Sequence, residues 1–82
     1  MKMKIEQTNA LTNLADELKI QAHLPKNTKR RTMLLFIADS ATLLAMGDRF
    51  GSERVIELVN LKGDKELEKA MIKYLNVILE IL

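Results

Sequence analysis

The densest chemistry in this chain is Lys26-Asn27-Thr28-Lys29-Arg30-Arg31, four cations within six residues. Such a cluster offers positive charge and hydrogen-bond donors to a phosphate, an acidic protein surface or an anionic lipid headgroup. Its bland alternative is a solvated turn that keeps an apolar protein soluble. The groups that perform catalysis are sparse. The single histidine, His23, lies beside the Leu24-Pro25 turn, and the two serines, Ser40 and Ser52, read as a mid-helix polar residue and a helix cap. General acid–base or nucleophilic catalysis needs several such groups converging on one spot, and none is assembled here. The chain has no cysteine, which removes disulfides, thiolate zinc sites and thiol nucleophiles together. One histidine and no run of oxygen ligands at loop spacing offer a metal nothing to bind. The expectation is a non-enzymatic protein without catalytic, cofactor-binding or metal-ligating residues.

Charge is unevenly placed. Residues 1–31 carry seven Lys and Arg against three acids, and residues 32–82 carry six against eight, which accounts for the net charge of +2. A molecule polar from end to end suits self-association or docking on an acidic partner. Nucleic acid is the less favoured partner. Residues 43–58 resemble a helix-turn-helix, with Phe50-Gly51-Ser52 as the turn and Arg54 on the reading helix. With Gly51 as the turn glycine, however, the position that should be apolar falls on Glu57. Residues 48–68 hold four cations and six anions, whereas affinity for DNA comes largely from neutralising phosphates. A small DNA-binding regulator with a degenerate helix-turn-helix, relying on the 26–31 cluster, is the alternative reading.

Helices must position these groups. With three glycines, one proline and three aromatics among 82 residues, and with Leu, Ala, Glu and Lys abundant, local propensity favours helix almost throughout. Leu11, Leu14, Ala15, Leu18 and Ala22 recur at helical spacing and predict a first helix from about Thr8 to His23. Pro25 disfavours helix at Leu24 and places a turn near 24–27, after which Asn27 or Thr28 caps a second helix from about Thr28 to Met46. Ten of the thirteen residues Met33–Ala45 are apolar, on nearly all sides, as in a helix at the middle of a core. Gly47 ends it in a left-handed conformation. A third helix over about Ser52–Lys62 buries Val55, Leu58 and Val59 and stops at Gly63. Asp64 caps a fourth, which runs to the end of the chain with Leu67, Met71, Tyr74, Ile78 and Ile81 as its seam and a second stripe of Leu75, Leu79 and Leu82.

The chain reads as one all-α domain over residues 1–82, a small bundle of about four helices. A protein this size hides only about 60% of the surface its unfolded chain exposes, so helices apolar over more than one face leave a surplus. Either two copies pair through the C-terminal helix, or a partner's helix or tail lies between helices. Lys26, Lys29, Arg30 and Arg31, and Ile78 and Leu79 on the last helix, are the candidate partner-binding residues. The N-terminal stretch turns polar at Glu6-Gln7-Thr8-Asn9, where a signal peptide needs an apolar core. The most apolar run, Met33 to Met46, is too short and too polar for a membrane span. A cytoplasmic location without a membrane span is expected.

The length, the lack of cysteine, signal and span, and the opening Met1-Lys2-Met3-Lys4-Ile5-Glu6 resemble the RIII family of lysis-inhibition accessory proteins of T-even bacteriophages. The resemblance covers residues 1–82. It implies a cytoplasmic antiholin, working in the host cytoplasm, that binds the cytosol-facing part of the phage holin and helps a periplasmic antiholin to delay lysis. That role needs a complementary surface and no catalysis.

Overall fold

In a computed structural model of the chain, residues 4–47, 54–57 and 63–81 are described, without the side chains of residues 78, 80 and 81. All regular structure among them is helical: α1 (Ile5–Ala22), a 3-10 segment (Pro25–Arg30), α2 (Arg31–Ala45), a helical turn at 54–57 and α3 (Lys65–Ile81). The protein is a small all-α bundle.

Helix α1 starts three residues earlier than its apolar stripe predicts. The backbone of Lys4 is extended, and the Gln7 side-chain oxygen accepts its amide at 3.0 Å, so a glutamine reaching backward closes the end of the helix. All five stripe residues, Leu11, Leu14, Ala15, Leu18 and Ala22, are buried. Each fully buried Leu contributes about 1.5–3 kcal/mol.

The second helix differs from expectation at both its start and its outer face. The chain turns at His23 and Leu24, Pro25 then opens a 3-10 segment, and α2 proper begins only at Arg31. Neither Asn27 nor Thr28 caps it. Asn27 is buried and serves the preceding helix, while the Thr28 hydroxyl donates to the Pro25 carbonyl at 2.8 Å. Leu34, Ile37, Ala38, Ser40, Ala41 and Leu44 form the buried face. Phe36, Leu43 and Met46 lie opposite and are exposed, so α2 is not surrounded on all sides by its own chain. Gly47 follows α2 at φ +89°, a conformation that costs a side-chain-bearing residue about 1 kcal/mol or more.

Of the third predicted helix, only 54–57 lies within the described residues; there the chain is helical and Val55 is fully buried. Leu58 and Val59 lie outside the described residues. Helix α3 begins where predicted. Asp64 Oδ1 accepts the amides of Glu66 and Leu67 at 2.9 and 3.2 Å, satisfying donors that helix geometry leaves orphaned. Leu67, Ala70, Met71 and Tyr74 are buried against the hairpin of α1 and α2.

Two side-chain contacts fix the direction of α3. Arg30 bonds Asp64, and Ser40 bonds Tyr74; both pairs are 34 residues apart in sequence. A constant offset means that α3 runs parallel to α2, and the two contacts lie about 15 Å apart along both helices at 1.5 Å per residue. Parallel neighbours need a long return connection, which the chain between α2 and α3 supplies. The radius of gyration, 12.0 Å, is what about 80 compactly folded residues should have, roughly 12 Å.

Candidate partner-binding surface

The basic cluster sits where three helix ends meet. Because α2 and α3 are parallel and follow α1 through a short corner, the C-terminus of α1 shares one end of the bundle with the N-termini of α2 and α3. The last carbonyls of α1 are taken by side chains from the corner: Asn27 Nδ2 donates to Gln21 O at 2.6 Å and Arg31 Nε to Ala22 O at 2.8 Å. A cation at the N-terminus of α2 opposes that helix's dipole. The same guanidinium stands at the C-terminus of α1, where its charge is favourable.

Arg30 closes the junction. Its Nε donates to both carboxylate oxygens of Asp64, at 3.1 and 2.9 Å, and its Nη1 to Lys26 O and Asn27 Oδ1, at 3.0 and 2.7 Å. Desolvation pulls the Asp64 carboxyl upward, but the Arg30 hydrogen bond, the Leu67 and Glu66 amides and the Arg30 charge outweigh it and hold the carboxyl below its ordinary value. Of the four cations, then, Arg30 and Arg31 are half-buried and knit the helix ends together, while Lys26 and Lys29 are exposed.

Beside the junction, a cleft of about 180 Å³ is lined by Glu17, Gln21, Asn27, Glu66, Lys69 and Lys73 over a floor of Leu18, Leu34 and Ala70. It is smaller than typical ligand pockets of roughly 300–1,000 Å³. Its charges already pair, Lys73 with Glu17 at 2.6 Å and Lys69 with Glu66 at 3.6 Å. Among the described residues no three His, Asp or Glu side chains converge, and none of the described helices is long and apolar enough to cross a membrane.

Apolar side chains face outward on all three helices; on α1, Ile5 and Ile20 are 79% and 67% exposed. On α2, Phe36 and Leu43 are 37% and 40% exposed and Met46 77%, with Asp39 between them. On α3, Ile72 and Leu79 are 57% and 69% exposed and stand two turns apart. Leu79 is thus at the surface; the Ile78 side chain lies outside the described residues. The six sequence-derived candidates do not form one patch. The four cations gather at the junction, whereas Leu79 lies near the far end of α3. The outer face of α2 was hidden among the residues assigned to the core. A helical wheel carries the signal: residues 32, 36, 39, 43 and 46 share one side, roughly opposite Ile37 and Ala41.

No known protein family, curated protein or solved structure matches this chain.

Proposed function

We propose that this protein is a non-enzymatic regulator that acts by binding another protein, with the outer face of α3 as the docking surface. One observation carries the reading: Ile72 and Leu79 stand outside the bundle, two turns apart on one face. That spacing suits an amphipathic partner helix. The inward use of Arg30 and Arg31 supports a protein partner over nucleic acid, because it leaves Lys26 and Lys29 as the exposed cations of the cluster, few for a phosphate-driven interaction. The resemblance to the lysis-inhibition accessory proteins makes the cytosolic part of a phage holin the first partner to try, and the bacterial cytoplasm the place of action.

The test is affinity co-purification of the tagged chain from its native cell or infection, with nuclease treatment and mass spectrometry, alongside a Leu79→Asp variant. The expected result is a stoichiometric protein that survives nuclease and is lost with Leu79→Asp. A holin among the hits identifies the pathway. Recovery of nucleic acid alone, or of proteins released by nuclease, overturns the reading in favour of a DNA-binding regulator.

A further inference from the structure

We propose that the outer face of α2 pairs with the same face of a second copy, antiparallel, about a two-fold axis. This goes beyond the partner docking proposed for α3 and uses a different surface.

The face is apolar where a lone helix should be polar. Thr32, Phe36, Asp39, Leu43 and Met46 are all exposed, on the side of α2 opposite the core, and half-buried Leu35 borders them. The occupant is indicated by the order of charge. Lys26 and Lys29 stand one turn apart in the 3-10 segment that leads into α2, and Asp39 stands in the middle of α2. Lys29 and Asp39 are both exposed, and neither has an ion-pair or hydrogen-bond partner among the described residues. A face with positive charge at one end and negative charge further along is complementary to itself when turned end for end. An isologous interface requires that property.

With the 3-10 segment taken to continue the axis of α2, helix dimensions set the register. From the first residue of α2, Asp39 lies about 12 Å along the axis at 1.5 Å per residue, and Lys29 about 4 Å before it at roughly 2 Å per residue of 3-10 helix. Placing Lys29 of each copy opposite Asp39 of the other puts the two-fold about 4 Å into α2. Phe36, at about 7.5 Å, then lies roughly 3.5 Å from the axis level, so the two rings are separated by about 7 Å along the helices, at the upper limit of the distance at which aromatic pairs interact. Leu43 falls opposite the aliphatic stem of Lys26. The centre is apolar and two ion pairs flank it. A partner helix of different sequence would need a basic residue opposite Asp39 and acidic residues opposite the lysines; a second copy supplies the first from Lys29 and answers Lys29 with Asp39.

A single helix face buries less than the roughly 800 Å² per partner of a standard interface, so the dimer should be weak, with Kd on the order of 10 µM. Sedimentation equilibrium of the full chain from about 1 to 500 µM is the experiment. Monomer–dimer exchange is expected. Phe36→Ser should weaken the dimer about a hundredfold, and Lys29→Glu or Asp39→Lys alone about tenfold each, since each reversal sets two repulsions in one dimer. The combined Lys29→Glu and Asp39→Lys variant should regain most of the wild-type affinity, with circular dichroism confirming unchanged helix content. Both charge changes are at exposed positions, so the swap stands even if Phe36→Ser fails to fold. A chain that is monomeric throughout, a dimer indifferent to Phe36→Ser, or a double swap no tighter than the single variants overturns the proposal. None of these results depends on Leu79 or on a partner protein.

Discussion

Removing the Tyr74 hydroxyl would take away the hydrogen-bond partner of the Ser40 oxygen inside the core, because both residues are buried and share a 2.7 Å hydrogen bond. A buried polar group left without its partner costs about 1–3 kcal/mol, whereas removing both partners costs less than the sum. Tyr74→Phe and Ser40→Ala should therefore each destabilise the protein by about 1–2 kcal/mol. The double variant should lose less than the sum of the two single losses. Urea denaturation of the four proteins measures the coupling; additive losses would mean that the bond contributes nothing of its own. Its structural consequence is register: sliding α3 by one turn along α2 would part both hydroxyls and the Arg30–Asp64 pair together. Sequence inspection gives Ser40 only as a polar residue within a helix and Tyr74 only as a member of a seam. Neither periodicity nor propensity reports a bond between residues 34 apart.

Elements were legible wherever the signal was local. The buried stripe of α1, the Asp64 cap of α3 and the left-handed Gly47 after α2 each follow from residues within a few positions of one another, and the structure contains all three. The corner was not legible, because Asn27, Arg30 and Arg31 act on groups outside their own helix: the carbonyls of Gln21 and Ala22 and the carboxylate of Asp64. Residues that look like the ragged start of one helix are the termination of another. Asp64 joins the two effects, since it caps α3 and pairs with Arg30. Its folded carboxyl titrates below the ordinary value of 3.8, so its stabilisation is complete above the unfolded value and is lost as pH falls through the folded one. Asp64→Asn keeps a capping side chain and loses the charge. Thermal melts should show the variant about 1 kcal/mol less stable at pH 7, with the gap closing below about pH 4 as the wild type protonates. A gap that stayed constant from pH 7 to pH 2 would remove the ion pair from the account.

For the whole molecule, two helices form a closely packed hairpin and a third is laid parallel along one of them, held by polar contacts at its N-terminus and middle and by Lys73–Glu17 against the other. Outward apolar residues stand on all three helices; self-pairing is proposed for those of α2 and partner docking for those of α3. Fold class was legible from composition alone. The parallel course of α3 was not, since it depends on a connection of about 20 residues whose direction no short-range pattern records.

The Arg31–Ala22 bond spans nine residues and the Arg30–Asp64 bond 34, a difference that sets an order in time. Closing a short loop is faster and loses less chain entropy than closing a long one. The corner should be built in the folding transition state, and α3 should lock on afterwards. Arg31→Ala is then expected to slow refolding while leaving unfolding nearly unchanged, and Asp64→Ala to accelerate unfolding at an almost unaltered refolding rate. Stopped-flow chevrons for the two variants decide it, and the reverse assignment of effects would mean that α3 docks first. On this order the two adjacent arginines serve different moments: Arg31 helps the chain to fold, and Arg30 keeps it folded.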